Sequence, residues 1–166
     1  MVRVGINGFG RIGRAVFRRA LEDKNIHIVH INDLTDTATL AHLLSYDSVH
    51  GRIKDSVEHT QDSISVGKYR SSTSSLRSPV DIPWRDKGVD VVFECTGLFT
   101  QRGACEMHLQ AGARKVLVSA PAKGEDLTVV YGVNHESLRS QHSVVSNGSC
   151  TTNCLAPPCK VIHENF

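Results

Sequence analysis

The chain has 166 residues, of which 19 are Lys or Arg and 17 are Asp or Glu, giving a formal net charge of +2. This length suffices for one domain with a core of its own. A composition of 40% hydrophobic and 22% charged residues excludes a wholly disordered protein. No apolar run reaches the roughly 20 residues of a membrane span. The small net charge argues against a strongly basic nucleic-acid binder.

The five cysteines are odd in number, and their spacing does not predict a disulfide framework. The first residues lead directly into the alternating segment Val2–Ile6, which leaves no room for a signal peptide. We therefore expect free thiols in a reducing, cytoplasmic setting.

Short β-branched segments alternate with helical patterns along the chain, which is typical of βαβ units on a parallel sheet. The predicted strands are Val2–Asn7, His27–Asn32, Val89–Cys95, Lys115–Ser119, Thr128–Tyr131 and Ser143–Ser146. The predicted helices are Arg11–Glu22, Thr37–Ser45 and Arg102–Ala111, with another beginning at Cys150. Several strands are apolar on both faces, as expected where helices cover both sides of a sheet. The fold class is therefore α/β, with a doubly wound, mostly parallel sheet in a single domain.

The stretch from Asp47 to Trp84 is polar, rich in Ser and without helical periodicity. We predict a hairpin excursion with loops here. Within it, the run Ser71–Ser75 is interpreted as a solvated loop between ordered elements.

A glycine-rich turn, Gly8-Phe9-Gly10-Arg11-Ile12-Gly13, separates the first predicted strand from the first helix. This context is the one required by a Rossmann-type dinucleotide site. The first glycine permits the tight turn, the second admits a pyrophosphate, and the third lets helix and strand pack closely. Free N–H groups near Arg11 and Ile12 would face the anion at the helix N-terminus.

Asp33 lies 20 residues after Gly13, at the end of the second predicted strand. A carboxylate there can accept both adenosine ribose hydroxyls and would repel a 2′-phosphate, which favours NAD over NADP. The alternative is that Asn32 and Asp33 merely begin a turn and cap the next helix.

Cys150 follows a short strand at the predicted start of a helix, between Ser149 and Thr151. A thiol in the first turn faces the positive end of the helix dipole, which favours the nucleophilic thiolate. The neighbouring hydroxyls suit a phosphate or an oxyanion. The spacing alone leaves open that Cys150 is a small buried residue and Ser149 an ordinary cap.

No metal site is expected, because structural zinc needs four ligands and no second cysteine pair accompanies Cys150 and Cys154. None of the nine histidines carries a local pattern that marks a catalytic base.

Six segments together resemble the phosphorylating glyceraldehyde-3-phosphate dehydrogenases, in order along the chain. They are Asn7–Gly13, Asn32–Leu34, Tyr46–Gly51, Glu94–Gly97, Ser119–Pro121 and the specific motif Ser149–Cys154. The resemblance implies that Cys150 attacks an aldehyde to give a thiohemiacetal, hydride passes to NAD, and inorganic phosphate releases the acyl group.

The resemblance also assigns roles to individual positions. Ser149 and Thr151 match substrate and phosphate contacts. Arg11 and Ile12 match pyrophosphate contacts, Asp33 the ribose contact, and Arg77 an arginine near the adenine. Thr96, Gly97 and Ser119 belong to the family's cofactor-binding segments, and Ser119 lies on the nicotinamide side.

The family's chains are about twice this length, which implies that residues 1–149 form the NAD-binding domain and residues 150–166 the truncated start of the catalytic-domain helix. The substrate domain, with the catalytic histidine and most subunit contacts, would lie outside these residues. The resemblance implies glyceraldehyde 3-phosphate and phosphate as substrates and a homotetramer for the full-length enzyme. We expect the 166-residue chain alone to bind NAD without turnover.

Two alternatives and two departures accompany this interpretation. Erythrose-4-phosphate dehydrogenases share the cysteine motif, and the isolated domain could instead be a non-catalytic nucleotide- or RNA-binding module. We expect no membrane and no nucleic-acid partner. The segment Leu76–Pro79 departs from the family's usual residues around Arg77. Pro158 follows Pro157, so the helix from Cys150 is expected to kink or stop there.

Overall fold

A computed structural model describes residues 1–166, arranged as one sheet of nine strands with helices on both faces. The strands, in chain order, are β1 (Val2–Asn7), β2 (Ile26–Asn32), β3 (Val57–His59), β4 (Ser63–Val66), β5 (Tyr69–Ser74), β6 (Val91–Glu94), β7 (Lys115–Val118), β8 (Leu127–Thr128) and β9 (Val144–Ser146). The helices are α1 (Arg11–Ala20), α2 (Thr37–Ser45), α3 (Arg102–Gln110) and α4 (Cys150–Asn165). No helix is long and apolar enough to cross a membrane.

The strand order is β3-β4-β5-β2-β1-β6-β7-β9-β8, and only the pairs β3–β4 and β4–β5 are antiparallel. The chain moves from β1 to β2 in one direction and returns to β6 on the other side of β1. The order therefore reverses between β1 and β6, the position where doubly wound sheets bind ligands. The prediction of a doubly wound α/β fold is confirmed.

Alternating strand residues divide the core between the two faces. Val4, Ile6 and Phe17 belong to the cluster under α1 and α2, whereas Val92 and Trp84 belong to a second cluster on the opposite face. Near α3, a third cluster is formed by Cys105, Val116, Val118 and Val144. These layers fix the carboxyl ends of β1, β2 and β6 beside one another.

Several predicted boundaries were wrong by a few residues. Helix α1 ends at Ala20 rather than Glu22, because the N–H groups of Glu22 and Asp23 bond three residues back in a tighter turn. The strand predicted over Thr128–Tyr131 is β8, which ends at Thr128. Val130 turns away there, and its N–H donates to Oδ1 of Asn134 at 2.8 Å.

The interpretation of Ser71–Ser75 as a solvated loop was wrong. Residues up to Ser74 belong to β5, which pairs in parallel with β2 and antiparallel with β4. Ser71 is buried, and its hydroxyl donates to the Ile28 carbonyl at 2.7 Å. A hydrogen-bonded serine can thus occupy the sheet interior, because its polar group finds a backbone acceptor.

We expected helix α4 to kink or stop at Pro158, and it does not stop, because it continues through Pro157 and Pro158 to Asn165. The two prolines remove the N–H donors for the carbonyls of Asn153 and Cys154. No residue of α4 is buried, so water can satisfy carbonyls on its exposed face that lack an intrahelical donor.

Candidate functional site

The glycine-rich turn lies between β1 and α1, as predicted. Gly8 has φ of +89°, a conformation that favours glycine, and a Cβ at Gly13 would lie 2.2 Å from the Gly8 carbonyl oxygen. These two glycines are therefore required by the turn itself. Gly10 differs, since its φ is −69° and a Cβ built there meets nothing within 4 Å.

The first turn of α1 presents unused backbone donors. The N–H groups of Arg11, Ile12 and Gly13 have no acceptor within the protein. Such groups at a helix N-terminus form a site for an anion. The open space at Gly10 lies beside them.

Asp33 follows β2 and lies next to this turn. Its Oδ2 accepts the Phe9 N–H at 2.7 Å, and its Oδ1 accepts the Thr35 N–H at 2.9 Å. The alternative role as a helix cap belongs instead to Asp36, whose Oδ1 accepts the Thr39 N–H. Each Asp33 oxygen retains acceptor capacity for a further donor, such as a ribose hydroxyl.

A cleft of about 360 Å³ opens at the carboxyl ends of β1, β2 and β6. It brings together five of the predicted cofactor residues, which are Gly8, Gly10, Asp33, Arg77 and Thr96. The sequence analysis gave no role to the other lining residues, namely Asn7, Asn32, Leu34, Leu76, Cys95, Leu98 and Phe99. Arg11, Gly13 and Gly97 adjoin the cleft along the chain but do not line it.

A second cleft of about 370 Å³ contains Cys150 and Ser119. Cys150 is exposed and is the first residue of α4, while Ser149 caps the helix by accepting the Thr152 N–H at 3.0 Å. Ile12 and Ser149 also line this cleft, whereas Thr151 does not. The Thr151 hydroxyl instead hydrogen-bonds that of Ser149 at 2.8 Å.

Cys95 lines both clefts and so joins them. Desolvation raises the pKa of the Cys95 thiol to about 11, with the Ser119 hydroxyl acting in the opposite direction. Cys95 is therefore a neutral thiol shared by the two clefts, and Cys150 is the exposed thiol of the second cleft.

Comparison with known proteins shows which family the chain belongs to. The profile described as glyceraldehyde 3-phosphate dehydrogenase, NAD binding domain, matches residues 2–102, which include the glycine turn, Asp33, Arg77 and Thr96. The chain belongs to this family.

Curated relatives named glyceraldehyde-3-phosphate dehydrogenase extend the similarity to Cys150. The Streptomyces coelicolor protein is 56% identical over 99% of this chain, and the Thermotoga maritima protein is 54% identical over 100%. The Geobacillus stearothermophilus protein is 54% identical over 99%. The chain spans about half the length of the curated glyceraldehyde-3-phosphate dehydrogenases that it matches.

As the NAD-binding domain of this family, the chain takes NAD as its cofactor. The residues present fit that cofactor, because an open glycine position and a carboxylate with spare acceptor capacity line one cleft, and the unpaired N–H groups of the first turn of α1 adjoin it. The residues that sequence reasoning missed include Asn7 and Asn32, which are buried polar residues at the ends of β1 and β2. The available signal was an asparagine at the end of each strand, directly before Gly8 in one case and Asp33 in the other.

Proposed function

We propose that this chain is the cofactor half of a phosphorylating glyceraldehyde-3-phosphate dehydrogenase and that Cys150 is its nucleophile. One observation carries the proposal: the exposed Cys150 thiol shares a cleft with Ser119, and Cys95 joins that cleft to the one formed by the glycine turn and Asp33. A reactive thiol and a dinucleotide cleft are thus neighbours.

In this proposal the adenosine half of NAD contacts Asp33 and Arg77, and the pyrophosphate contacts the N–H groups of Arg11 and Ile12. Gly8, Gly10 and Gly13 shape that turn, while Thr96 lines the cleft and Gly97 adjoins it along the chain. Ser119 contacts the nicotinamide side. Bound NAD supplies the hydride acceptor.

The Cys150 sulfur would attack the carbonyl carbon of glyceraldehyde 3-phosphate and form a thiohemiacetal. Ser149 and Thr151 would contact the substrate or the attacking inorganic phosphate through their hydroxyls. The thiohemiacetal hydroxyl must lose a proton as hydride leaves, yet no His, Asp, Glu or Lys lines the Cys150 cleft. We therefore assign the base to a segment outside residues 1–166.

The same proposal extends to the complete enzyme. Residues 1–149 would form its NAD-binding domain and residues 150–166 the first helix of its catalytic domain. The enzyme would act in the cytoplasm as a homotetramer.

The test uses the purified 166-residue chain in two measurements. Calorimetric titration with NAD should give saturable binding, and absence of binding would overturn the proposal. Addition of glyceraldehyde 3-phosphate, phosphate and NAD should produce no steady-state increase in absorbance of the reduced cofactor. A positioned base contributes typically ~10²–10⁴-fold, so turnover within about tenfold of a full-length relative would show that these residues contain the base.

A further inference from the structure

Glu94 is a buried carboxylate at the reversal point of the sheet to which the proposed chemistry gives no role. It ends β6 directly opposite Asn7 of β1 and is only 1% exposed. Four donors surround it. Asn7 Nδ2 and His108 Nε2 meet Oε2 at 2.6 and 3.0 Å, and the N–H and hydroxyl of Thr96 meet Oε1.

The orientation of His108 is fixed from its far side. The indole Nε1 of Trp84 can only donate, and it lies 3.0 Å from His108 Nδ1. Nδ1 is therefore the acceptor and Nε2 carries the proton. His108 is neutral and donates to Glu94.

The orientation of Asn7 is fixed from the neighbouring strand β2. Asn32 bonds the backbone of Leu76 twice, accepting its N–H through Oδ1 and donating to its carbonyl through Nδ2. The same Nδ2 donates to Asn7 Oδ1 at 2.8 Å. Asn7 must consequently direct its amide hydrogens toward Glu94. Each of these polar neighbours can donate a hydrogen bond, and the two carboxylate oxygens of Glu94 accept all four of them.

Thr96 gives both of its hydrogens to Glu94. Its hydroxyl oxygen in turn accepts the Leu98 N–H at 3.0 Å. The carboxylate of Glu94 therefore also fixes the position of the Leu98 backbone, through Thr96. Thr96 and Leu98 line one wall of the nucleotide cleft, and Leu76 lines the other. Because both of its hydrogens go to Glu94, Thr96 has none left to donate to a cofactor oxygen.

We propose that Glu94 is a positioning residue for NAD, an inference that rests on the cofactor site described above. Its carboxylate fixes the position of Thr96 and Leu98, on one side of the cleft, relative to Leu76 on the other side. The adenosine side keeps its own anchor, because the two bonds between Asn32 and the Leu76 backbone do not involve Glu94.

The variant Glu94→Gln tests this proposal with almost no change of shape. A glutamine amide has one acceptor oxygen and one donor group, so its NH₂ must face either Thr96 or the donors of Asn7 and His108. Leaving buried donors unpaired costs on the order of a factor of ten in an equilibrium, so NAD should bind about tenfold more weakly or worse. Adenosine monophosphate, which contacts only the adenosine side, should lose less than about threefold.

The matched control is Glu106→Gln, since Glu106 is half-exposed on α3 and pairs with Arg102 away from the cleft. Fluorescence of Trp84, the only tryptophan, reports whether each variant keeps its core. Unchanged NAD affinity in Glu94→Gln would overturn the proposal. So would an equal loss for NAD and adenosine monophosphate, because that pattern indicates general damage. Failure of the unmutated chain to bind NAD would instead refute the cofactor site.

A second pair of variants applies if Glu94→Gln does not fold. Thr96→Val removes the hydroxyl that bonds Glu94 and Leu98, whereas Thr96→Ser retains it. We expect weaker NAD binding for the valine variant and near-normal binding for the serine variant. Equal NAD affinities for the two would contradict the proposal.

Discussion

The imidazole of His30 lies edge-on to the indole of Trp84, with their ring centroids 5.5 Å apart and their planes at 80°. The two ring nitrogens of His30 meet the hydroxyls of Ser72 and Ser74 at 2.7 and 2.8 Å. Burial, with a smaller contribution from the nearby Lys87, lowers the pKa of His30 to about 4. The histidine is thus held neutral between an aromatic ring and a serine-rich strand.

This arrangement predicts a loss of stability in mild acid. Between pH 6.5 and about 4 the unfolded chain binds a proton at His30 that the folded chain does not, so the free energy of unfolding falls as pH falls. The difference in pKa corresponds to roughly 3 kcal/mol. The pKa values of Asp47 and Asp62 are lowered from 3.8, so these carboxylates lose their contribution only at lower pH. Urea unfolding at a series of pH values measures the slope of the free energy of unfolding against pH.

His30→Gln should flatten that slope between pH 6.5 and about 4. The exposed His59→Gln is the matched control and should leave it unchanged. A slope that persists in His30→Gln would assign the acid sensitivity to another group.

Two glycine substitutions should separate folding from cofactor binding. In Gly13→Ala, the new Cβ would lie 2.2 Å from the Gly8 carbonyl oxygen, and we expect a thermal midpoint lowered by several degrees. In Gly10→Ala, the Cβ enters open space, so the thermal midpoint should hold while NAD affinity falls at least about tenfold. Calorimetric titration and thermal unfolding measure both. Normal NAD binding by Gly10→Ala would show that the pyrophosphate does not bind beside Gly10.

Asp33 should set the preference for NAD over NADP. Asp33→Ala removes both the ribose acceptor and the repulsion of a 2′-phosphate, so the affinity gap between the cofactors should narrow by roughly 1–3 kcal/mol. Asp36→Asn is the control, because it removes a nearby charge while keeping a helix cap. Parallel titrations with NAD and NADP give the gap. Equal affinity of the unmutated chain for both cofactors would refute this role.

Cys150 should react with iodoacetamide before the other four cysteines near neutral pH. It is exposed at the N-terminus of α4, whereas burial raises the pKa of Cys95 and Cys105 to about 11. Cys154 and Cys159 are also exposed but lie further along the helix, away from its N-terminal donors. Time-resolved peptide mapping gives the order. Labelling of Cys159 ahead of Cys150 would contradict the prediction.

The sequence by itself determined the alternation of strands and helices, the glycine turn and the position of Asp33. These signals are local, because a strand, a turn and a helix each follow from the spacing of nearby residues. The parallel sheet then brings the ends of β1 and β2 together without further information. The positions of Cys150 at a helix start and Asp33 beside the turn follow from the same local rules.

Only the tertiary structure decided that the serine run Ser71–Ser75 contributes to a strand and that Glu94 has a positioning role. Ser71 and Ser72 donate to carbonyls of β2 more than 40 residues away, so nothing in their own segment predicts a strand. In the sequence, Glu94 is an ordinary charged residue at the end of a strand. In the folded structure, Asn7, Thr96 and His108 surround it with hydrogen-bond donors. Burial of a polar group depends on partners distant in sequence, and those partners meet only when the chain has folded.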